Sequence, residues 1–101
     1  MRREYLLKIE VNGRQFNRVV IDSHYQVKHL KSITDPLILE LVKSLNGSES
    51  LPEKVLPSGF EIYVDDPVFL GEKPYRLIWT AHPKENYIGI INAFRRAVWR
   101  K

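Results

Sequence analysis

Residues 73–96 of the chain read KPYRLIWTAHPKENYIGIINAFRR, and this stretch decides the fold. Two apolar runs flank the five residues 82–86, a pattern that predicts two long strands joined by an exposed hairpin loop. Because side chains alternate across a strand, both faces of each run carry apolar residues. A strand that is apolar on both faces is usually central. We therefore expect this hairpin in the middle of a sheet, covered by at least one helix.

Length and composition predict one folded domain that spans residues 1–101. The chain is 44% hydrophobic and 11% aromatic, which is typical of a globular protein. Its formal net charge of +4 favours an acidic partner, which is nucleic acid, an acidic protein or an anionic membrane surface. The chain has no cysteine, so disulfides and thiolate chemistry are excluded.

No stretch of the sequence has the pattern of a membrane span or a signal peptide. The apolar runs fall short of the roughly 18 residues that a spanning helix needs. The N-terminus lacks the apolar core of a signal peptide. We expect a cytoplasmic protein without a membrane partner.

The N-terminal part of the chain predicts a hairpin. Residues 4–11 alternate apolar and polar side chains, and Asn12-Gly13 follows at once. Both residues tolerate the positive φ of a two-residue type I′ turn, so the chain should reverse into a strand over residues 15–21. Asp22-Ser23 then supplies a cap for a short helix that begins at His24.

A second helix is indicated after residue 33. Thr34-Asp35 can cap it, Pro36 suits its first turn, and Asn46-Gly47 should end it. Its apolar positions recur at helical spacing, and they are Leu37, Ile38, Leu41, Val42 and Leu45.

The remaining segments complete an α+β domain. Residues 48–57 indicate a surface loop, and residues 60–64 a further strand. Asp65-Asp66-Pro67 breaks the apolar pattern, so residues 68–70 either extend this strand after a bulge or form a separate one. We expect an antiparallel sheet of about five to six strands, built from the N-terminal hairpin and a C-terminal meander, with one or two helices packed on one face.

Three segments of the C-terminal half share features with a known family. Residues 57–62 read PSGFEI, residues 74–79 read PYRLIW, and residues 92–100 read NAFRRAVWR. Together they resemble the C-terminal half of the RelE/ParE-like toxins of bacterial toxin-antitoxin pairs. In that superfamily a Gly-aromatic-Glu strand, a Tyr-Arg strand and an Arg-rich segment with an aromatic end form the sheet that carries activity.

The resemblance implies a toxin and leaves its activity open. Members of the superfamily include ribosome-associated mRNA endonucleases and also gyrase poisons that cut nothing. RNA, free or ribosome-associated, is the substrate that the first group implies. An antitoxin is also implied, as an acidic, partly disordered protein that covers a basic groove.

Residues 23–31 contain the side chains of a candidate catalytic helix. On a helix, His24 and Lys28 share one face because residues four apart are neighbours. Metal-independent RNA cleavage needs a base for the 2′-hydroxyl, an acid for the leaving oxygen and cations for the phosphate. Our catalytic candidates are His24, Lys28, His29, Arg76 and Arg95. The alternative is a solvated helix face whose histidines cap the helix or form local hydrogen bonds.

Candidate nucleic-acid contacts cluster toward the C-terminus. Guanidinium groups match phosphate oxygens, and aromatic rings can stack on bases. The candidates are Tyr87, Asn92, Arg96, Trp99 and Arg100. As alternatives, the arginines are solvated and blunt an edge strand, and the aromatic residues belong to the core, as expected for Trp79.

Arg76 interrupts the apolar pattern of a central strand and therefore needs a partner. It either pairs with a carboxylate on the neighbouring strand, such as Glu61, or faces an open groove and binds substrate phosphate. His82 falls at the hairpin tip, where a structural role is favoured over catalysis. His24 and His29 are five residues apart with no cysteine available, so no metal site and no cofactor are expected.

Three functions are compatible with these residues. The first is a toxin-like, metal-independent RNA endonuclease. The second is a non-catalytic basic module that binds nucleic acid or an acidic protein. The third is an interaction protein whose exposed edge strand pairs with another chain. The cationic C-terminus fits all three, whereas the histidine and lysine pattern favours the first alone.

Overall fold

The computed structural model describes residues 2–22 and 33–96 of the chain. In chain order the elements are β1 (Arg2–Val11), β2 (Arg14–Asp22), α1 (Asp35–Lys43), β3 (Lys54–Val55), β4 (Glu61–Leu70), β5 (Lys73–Ala81) and β6 (Tyr87–Arg95). The α+β composition agrees with the sequence analysis. The short helix expected to begin at His24 lies outside the described residues.

All six strands form one sheet in the order β1-β2-β6-β5-β4-β3. Neighbouring strands are antiparallel except β2 and β6, which run parallel. The expectation of a purely antiparallel sheet is therefore wrong, because the sheet is mixed. After β2 the chain crosses through α1 to the far edge of the sheet. The meander then returns strand by strand until β6 lies beside β2 and runs in the same direction.

The local turn signals are confirmed. Asn12 and Gly13 have φ values of 58° and 73°, the left-handed conformation that a type I′ turn requires. Residues 68–70 extend β4 after a bulge and do not form a separate strand. The segment predicted to be entirely loop contains the two-residue β3, whose Lys54 pairs with Ile62 of β4.

One face of the sheet packs with α1 into a single core. The helix contributes Ile38, Leu41 and Val42, all without solvent exposure. Leu77 and Trp79 of the central strand β5 belong to the same cluster. The helix lies where its apolar spacing predicted, with Thr34 as its N-cap and Ser44 as its C-cap.

The other face of the sheet, which we call the open face, is only partly buried. On β5 it carries Arg76, Ile78 and Thr80, which alternate with the core residues and remain half-buried. No helix in the described part of the chain lies on this face. The expectation that the central hairpin is buried on both faces is therefore wrong for β5, because apolar residues such as Ile78 reflect strand preference as well as burial.

Trp79 joins the strands of the core to each other. Its indole ring stacks on the Tyr63 ring, with centroids 4.0 Å apart and planes 8° from parallel. Its Nε1–H donates to Asp65 Oδ2 at 2.6 Å. The buried tryptophan thus satisfies its one polar group on the neighbouring strand β4.

The start of α1 is attached to the edge strand β1. Arg3 pairs with the Asp35 carboxylate through two guanidinium nitrogens. Tyr5 Oη donates to the same carboxylate at 2.5 Å. Asp35 is the first residue of the helix, where a negative charge is also favoured by the helix dipole. These contacts hold the helix against the sheet.

We expect Trp79→Phe to lower the free energy of unfolding by about 1–3 kcal/mol, because Asp65 loses its indole donor and part of the ring contact disappears. Urea unfolding measures the difference. Leu51→Ala is the control, since Leu51 is 90% exposed and its truncation should change stability by less than about 0.5 kcal/mol. Equal stability of Trp79→Phe and wild type would contradict this account of the core.

Candidate nucleic-acid interface

Two arginines share one aspartate at one end of the open face. Arg76 Nη1 lies 3.2 Å from Asp66 Oδ2, and Arg96 Nη1 lies 2.5 Å from Asp66 Oδ1. The carboxylate is 12% exposed, whereas the two arginine side chains are 39% and 43% exposed. We call these three residues the Asp66 cluster. Because two guanidiniums meet one carboxylate, the cluster carries one excess positive charge.

The adjacent residues Asp65 and Asp66 face opposite sides of the sheet. Asp65 pairs in register with the core residue Leu77 and binds Trp79. The register of β4 then shifts, and Asp66 reaches Arg76 on the open face. Because side chains alternate along β4, one partly buried carboxylate lies on the core side and the next lies beside the arginines.

In the structure, the partner of Arg76 is Asp66 and not Glu61. Glu61 pairs in register with Ala81, five residues along β5 from Arg76. Its carboxylate instead accepts from Arg14 Nη1 at 2.7 Å and from Tyr63 Oη at 3.2 Å. Arg76 therefore pairs with a carboxylate on the neighbouring strand, as one of the two alternatives predicted, but the carboxylate is Asp66 and not Glu61. The Nε of Arg76 is buried without a hydrogen-bond partner.

A second pair of arginines shares a glutamate at the opposite end of the open face. Arg18 Nη1 lies 3.0 Å from Glu4 Oε1, and Arg2 Nε lies 3.9 Å from Glu4 Oε2. Both guanidiniums also lie near the Tyr87 ring, with their Cζ atoms 5.6 Å and 6.0 Å from its centroid. We call Arg2, Glu4, Arg18 and Tyr87 the Tyr87 cluster.

A groove of about 170 Å³ opens beside the Tyr87 ring. Its lining includes Arg2, Val20, Asp22, Thr80, Tyr87 and Gly89. A Cβ atom at Gly89 would lie 3.0 Å from the Thr80 methyl and 3.7 Å from the Tyr87 ring. The absence of a Cβ atom at Gly89 thus leaves room for the Thr80 methyl and the Tyr87 ring. A glycine inside a strand often marks a place where a ligand or another backbone approaches closely.

The separation between the two clusters runs along the direction of strands β5 and β6. Arg76 is four residues from Thr80 on β5, Thr80 pairs with Gly89, and Tyr87 is two residues further on β6. The four residues along β5 and the two along β6 make six residues. At about 3.3 Å per residue, they separate the clusters by roughly 20 Å. Asn92 lies between them in register with Ile78, and its Oδ1 accepts from the Ala93 N–H.

The structure separates several residues that the sequence analysis grouped. Arg96 joins Arg76, whereas Arg95 pairs in register with Tyr75 on the other face of the sheet. Arg95 and Arg76 therefore do not meet as one catalytic pair among the described residues. The proposed acid, base and lysine, and two of the proposed RNA contacts, lie outside the described residues; they are His24, Lys28, His29, Trp99 and Arg100.

His82 stabilises the loop between β5 and β6 through its ring contacts. Its Nδ1 accepts from the Lys84 N–H at 3.1 Å, so its Nε2 is left to donate to the Ser58 carbonyl at 3.1 Å. The ring also meets Phe60 edge to face, with centroids 4.9 Å apart. Both ring nitrogens are used within the fold. The structural role favoured for His82 agrees with these contacts.

Charge is distributed unevenly along the chain. All twelve acidic residues and twelve of the sixteen lysines and arginines belong to residues 2–22 and 33–96. The remaining cations are Lys28, Lys31, Arg100 and Lys101. The described part of the chain is therefore formally neutral. Its positive potential is local and comes from places where two arginines share one carboxylate.

Comparison of the chain with protein-family models, with curated proteins and with solved structures finds no significant match. Within residues 2–22 and 33–96, no three His, Cys, Asp or Glu side chains are placed to hold a metal ion. The same residues contain no helix with the length and hydropathy of a membrane span.

Sequence reasoning missed the N-terminal half of this surface. Arg2, Glu4 and Arg18 belong to the hairpin that was interpreted only as framework. Strand alternation along β1 places Arg2 and Glu4 on the same face. The missing information was that β2 lies beside β6, because only this pairing brings Arg18 next to Tyr87.

The Tyr63 hydroxyl predicts a measurable pH dependence of stability. Burial raises the pKa of Tyr63 above its ordinary value of 10.0, and the nearby Glu61 carboxylate raises it further. Its stabilising contribution is complete below pH 10 and is lost as the pH rises through the higher pKa of the folded state. Thermal unfolding between about pH 8 and pH 11 should therefore show a flatter alkaline decline for Tyr63→Phe than for wild type. Parallel declines of the two proteins would contradict the raised pKa.

Proposed function

We propose that this protein binds single-stranded RNA along the open face of its sheet. The observation that carries the proposal is the pair of clusters in which one carboxylate is shared by two arginines. Asp66 neutralises one guanidinium and hydrogen-bonds both, whereas Glu4 hydrogen-bonds Arg18 and lies 3.9 Å from Arg2. The Asp66 cluster thus keeps donors and one positive charge for a phosphate group.

The Asp66 cluster supports the phosphate contact in this proposal. Its guanidiniums are held by the more buried Asp66, so little side-chain entropy is lost when a phosphate binds. Each arginine has five N–H donors, and Arg76 and Arg96 each use one of them on Asp66. A phosphate at this end would accept from both side chains.

The Tyr87 cluster supports contact with a base. RNA that is recognised as a single strand commonly stacks its bases on aromatic rings or on guanidinium planes. Tyr87 provides the ring, Arg2 and Arg18 provide the planes, and Gly89 leaves space beside them. A strand of RNA that runs between the clusters would place a phosphate at one end and a base at the other.

A toxin-like, metal-independent RNA endonuclease is the catalytic form of the same proposal. The resemblance to RelE/ParE-like toxins supports it, as does the chemistry of His24, Lys28 and His29. In this form the open face binds the substrate, and a histidine moves the proton of the 2′-hydroxyl. An acidic antitoxin protein would cover the arginines, and the toxin would act in the cytoplasm.

We expect Arg76→Gln and Arg96→Gln each to weaken RNA binding about tenfold, because each removes a charged contact to phosphate. The slope of log affinity against log salt should fall by about one for each change. Fluorescence anisotropy with a labelled RNA of about ten nucleotides measures both quantities. Lys43→Gln is the matched control, since Lys43 lies on α1 and pairs with Glu40.

Asp66→Asn separates a binding surface from a purely structural ion pair. Removing the shared negative charge frees both guanidiniums, so RNA affinity should rise while the asparagine keeps a hydrogen-bond acceptor. If the arginines only stabilise the fold, this variant would lose stability without any gain in affinity. That result, with circular dichroism confirming a folded protein, would overturn the proposed phosphate site.

Cleavage is tested separately from binding, in the presence of a chelator. We expect wild type to cut single-stranded RNA there, and His24→Ala or His29→Ala to lower the rate about 100-fold or more if that histidine is the acid or base. Arg95→Ala tests the remaining catalytic candidate. Binding without cleavage by a folded wild type would support the non-catalytic module and exclude the endonuclease.

A further inference from the structure

The edge strand β1 presents a side-chain order that is complementary to itself. Its even-numbered residues alternate with the half-buried ones and lie on the exposed side of the strand. In order they are Arg2, Glu4, Leu6, Lys8 and Glu10. When a second copy of β1 lies antiparallel with Leu6 opposite Leu6, Glu4 of each copy lies opposite Lys8 of the other. An antiparallel second copy therefore meets opposite charges at these positions.

Leu6 lies at the centre of this order and is 88% exposed. On the other side of the strand, the same reversal sets Tyr5 opposite Leu7 and Leu7 opposite Tyr5. Both of these side chains are half-buried at the border of the core. A second copy would thus cover apolar surface on both sides of the strand, with the exposed leucines in contact at the two-fold axis.

The backbone of β1 is available over a limited length. It is the first strand of the sheet order and has β2 on one side alone. On its outer side, Gly47 N–H donates to the Glu10 carbonyl and Asn46 Oδ1 accepts from the Glu10 N–H. Within residues 2–22 and 33–96, no backbone hydrogen bond reaches the outer side of residues 2–9.

Two features keep such a contact short. The register with β2 shifts between Leu6 and Ile9, and the loop at residues 46–48 closes the outer edge beside Glu10. Bulges and lysines are devices that limit edge pairing in natural sheets. The complementary segment spans residues 4–8 and contains this irregularity, so it corresponds to a weak and reversible dimer rather than an obligate one.

We propose that β1 pairs with β1 of a second copy of this chain, antiparallel and centred on Leu6. The pairing uses the outer edge of β1 and needs no RNA, but Glu4, one of its charged positions, also pairs with Arg18 in the Tyr87 cluster. Sedimentation velocity should show a monomer that converts to a dimer as the protein concentration rises. Lys8→Glu sets like charges opposite each other twice and should weaken the dimer about tenfold.

The absence of native cysteine makes the register directly testable by disulfide cross-linking. Under a mild oxidant, Leu6→Cys should form a covalent dimer much faster than Leu51→Cys, whose side chain has a similar exposure of 90%. Glu4→Cys and Lys8→Cys should each cross-link slowly alone and quickly when mixed. A protein that stays monomeric at every concentration, or equal rates for Leu6→Cys and Leu51→Cys, would overturn the proposal.

Discussion

The one-sided burial of the sheet is the constraint on which the rest of the structure depends. Burial beneath α1 fixes the core face through Trp79, Leu77 and the helix residues that contact them. Side chains alternate, so each strand that sends a residue into this core must send the next one to the open face. Arginines and carboxylates occupy both ends of that face, where their charges need partners.

Shared carboxylates satisfy this need with few acidic residues. Asp66 is more buried than either of its arginines, so it organises their guanidiniums without a second aspartate. Glu4 also lies between two arginines, but it is 44% exposed and so more exposed than Arg18 at 37%. In the proposed function, the same arginines would serve both structural ion pairing and phosphate binding.

Elements governed by local interactions could be predicted from the sequence. The Asn12-Gly13 turn, the α1 cap at Thr34 and the central hairpin each depend on residues within a few positions of each other. The parallel pairing of β2 with β6 could not be predicted in this way, because it depends on where the crossover through α1 returns the chain. Half of the candidate interface depends on that pairing, so it was missed.

The partner of Arg76 shows the same limit at the level of one side chain. Sequence reasoning recognised that an arginine in a central strand needs a partner, and it favoured Glu61 because that residue lies on the neighbouring strand. The register of β4 and β5 places Glu61 opposite Ala81, whereas Asp66 follows the pair of Asp65 with Leu77 and reaches Arg76. A shift of one residue in a strand changes which charges meet.

The neutral charge of the described residues changes how the basic composition should be understood. A net charge spread over a whole surface attracts any polyanion, whereas a neutral body with local excess charge attracts one only where phosphates meet the arginines. In the proposed function, two such places roughly 20 Å apart would favour a ligand long enough to reach both. An extended nucleic acid strand would meet this condition, and a single free phosphate would not. Recognition by the open face would then depend on the spacing of its clusters more than on the total charge of the chain.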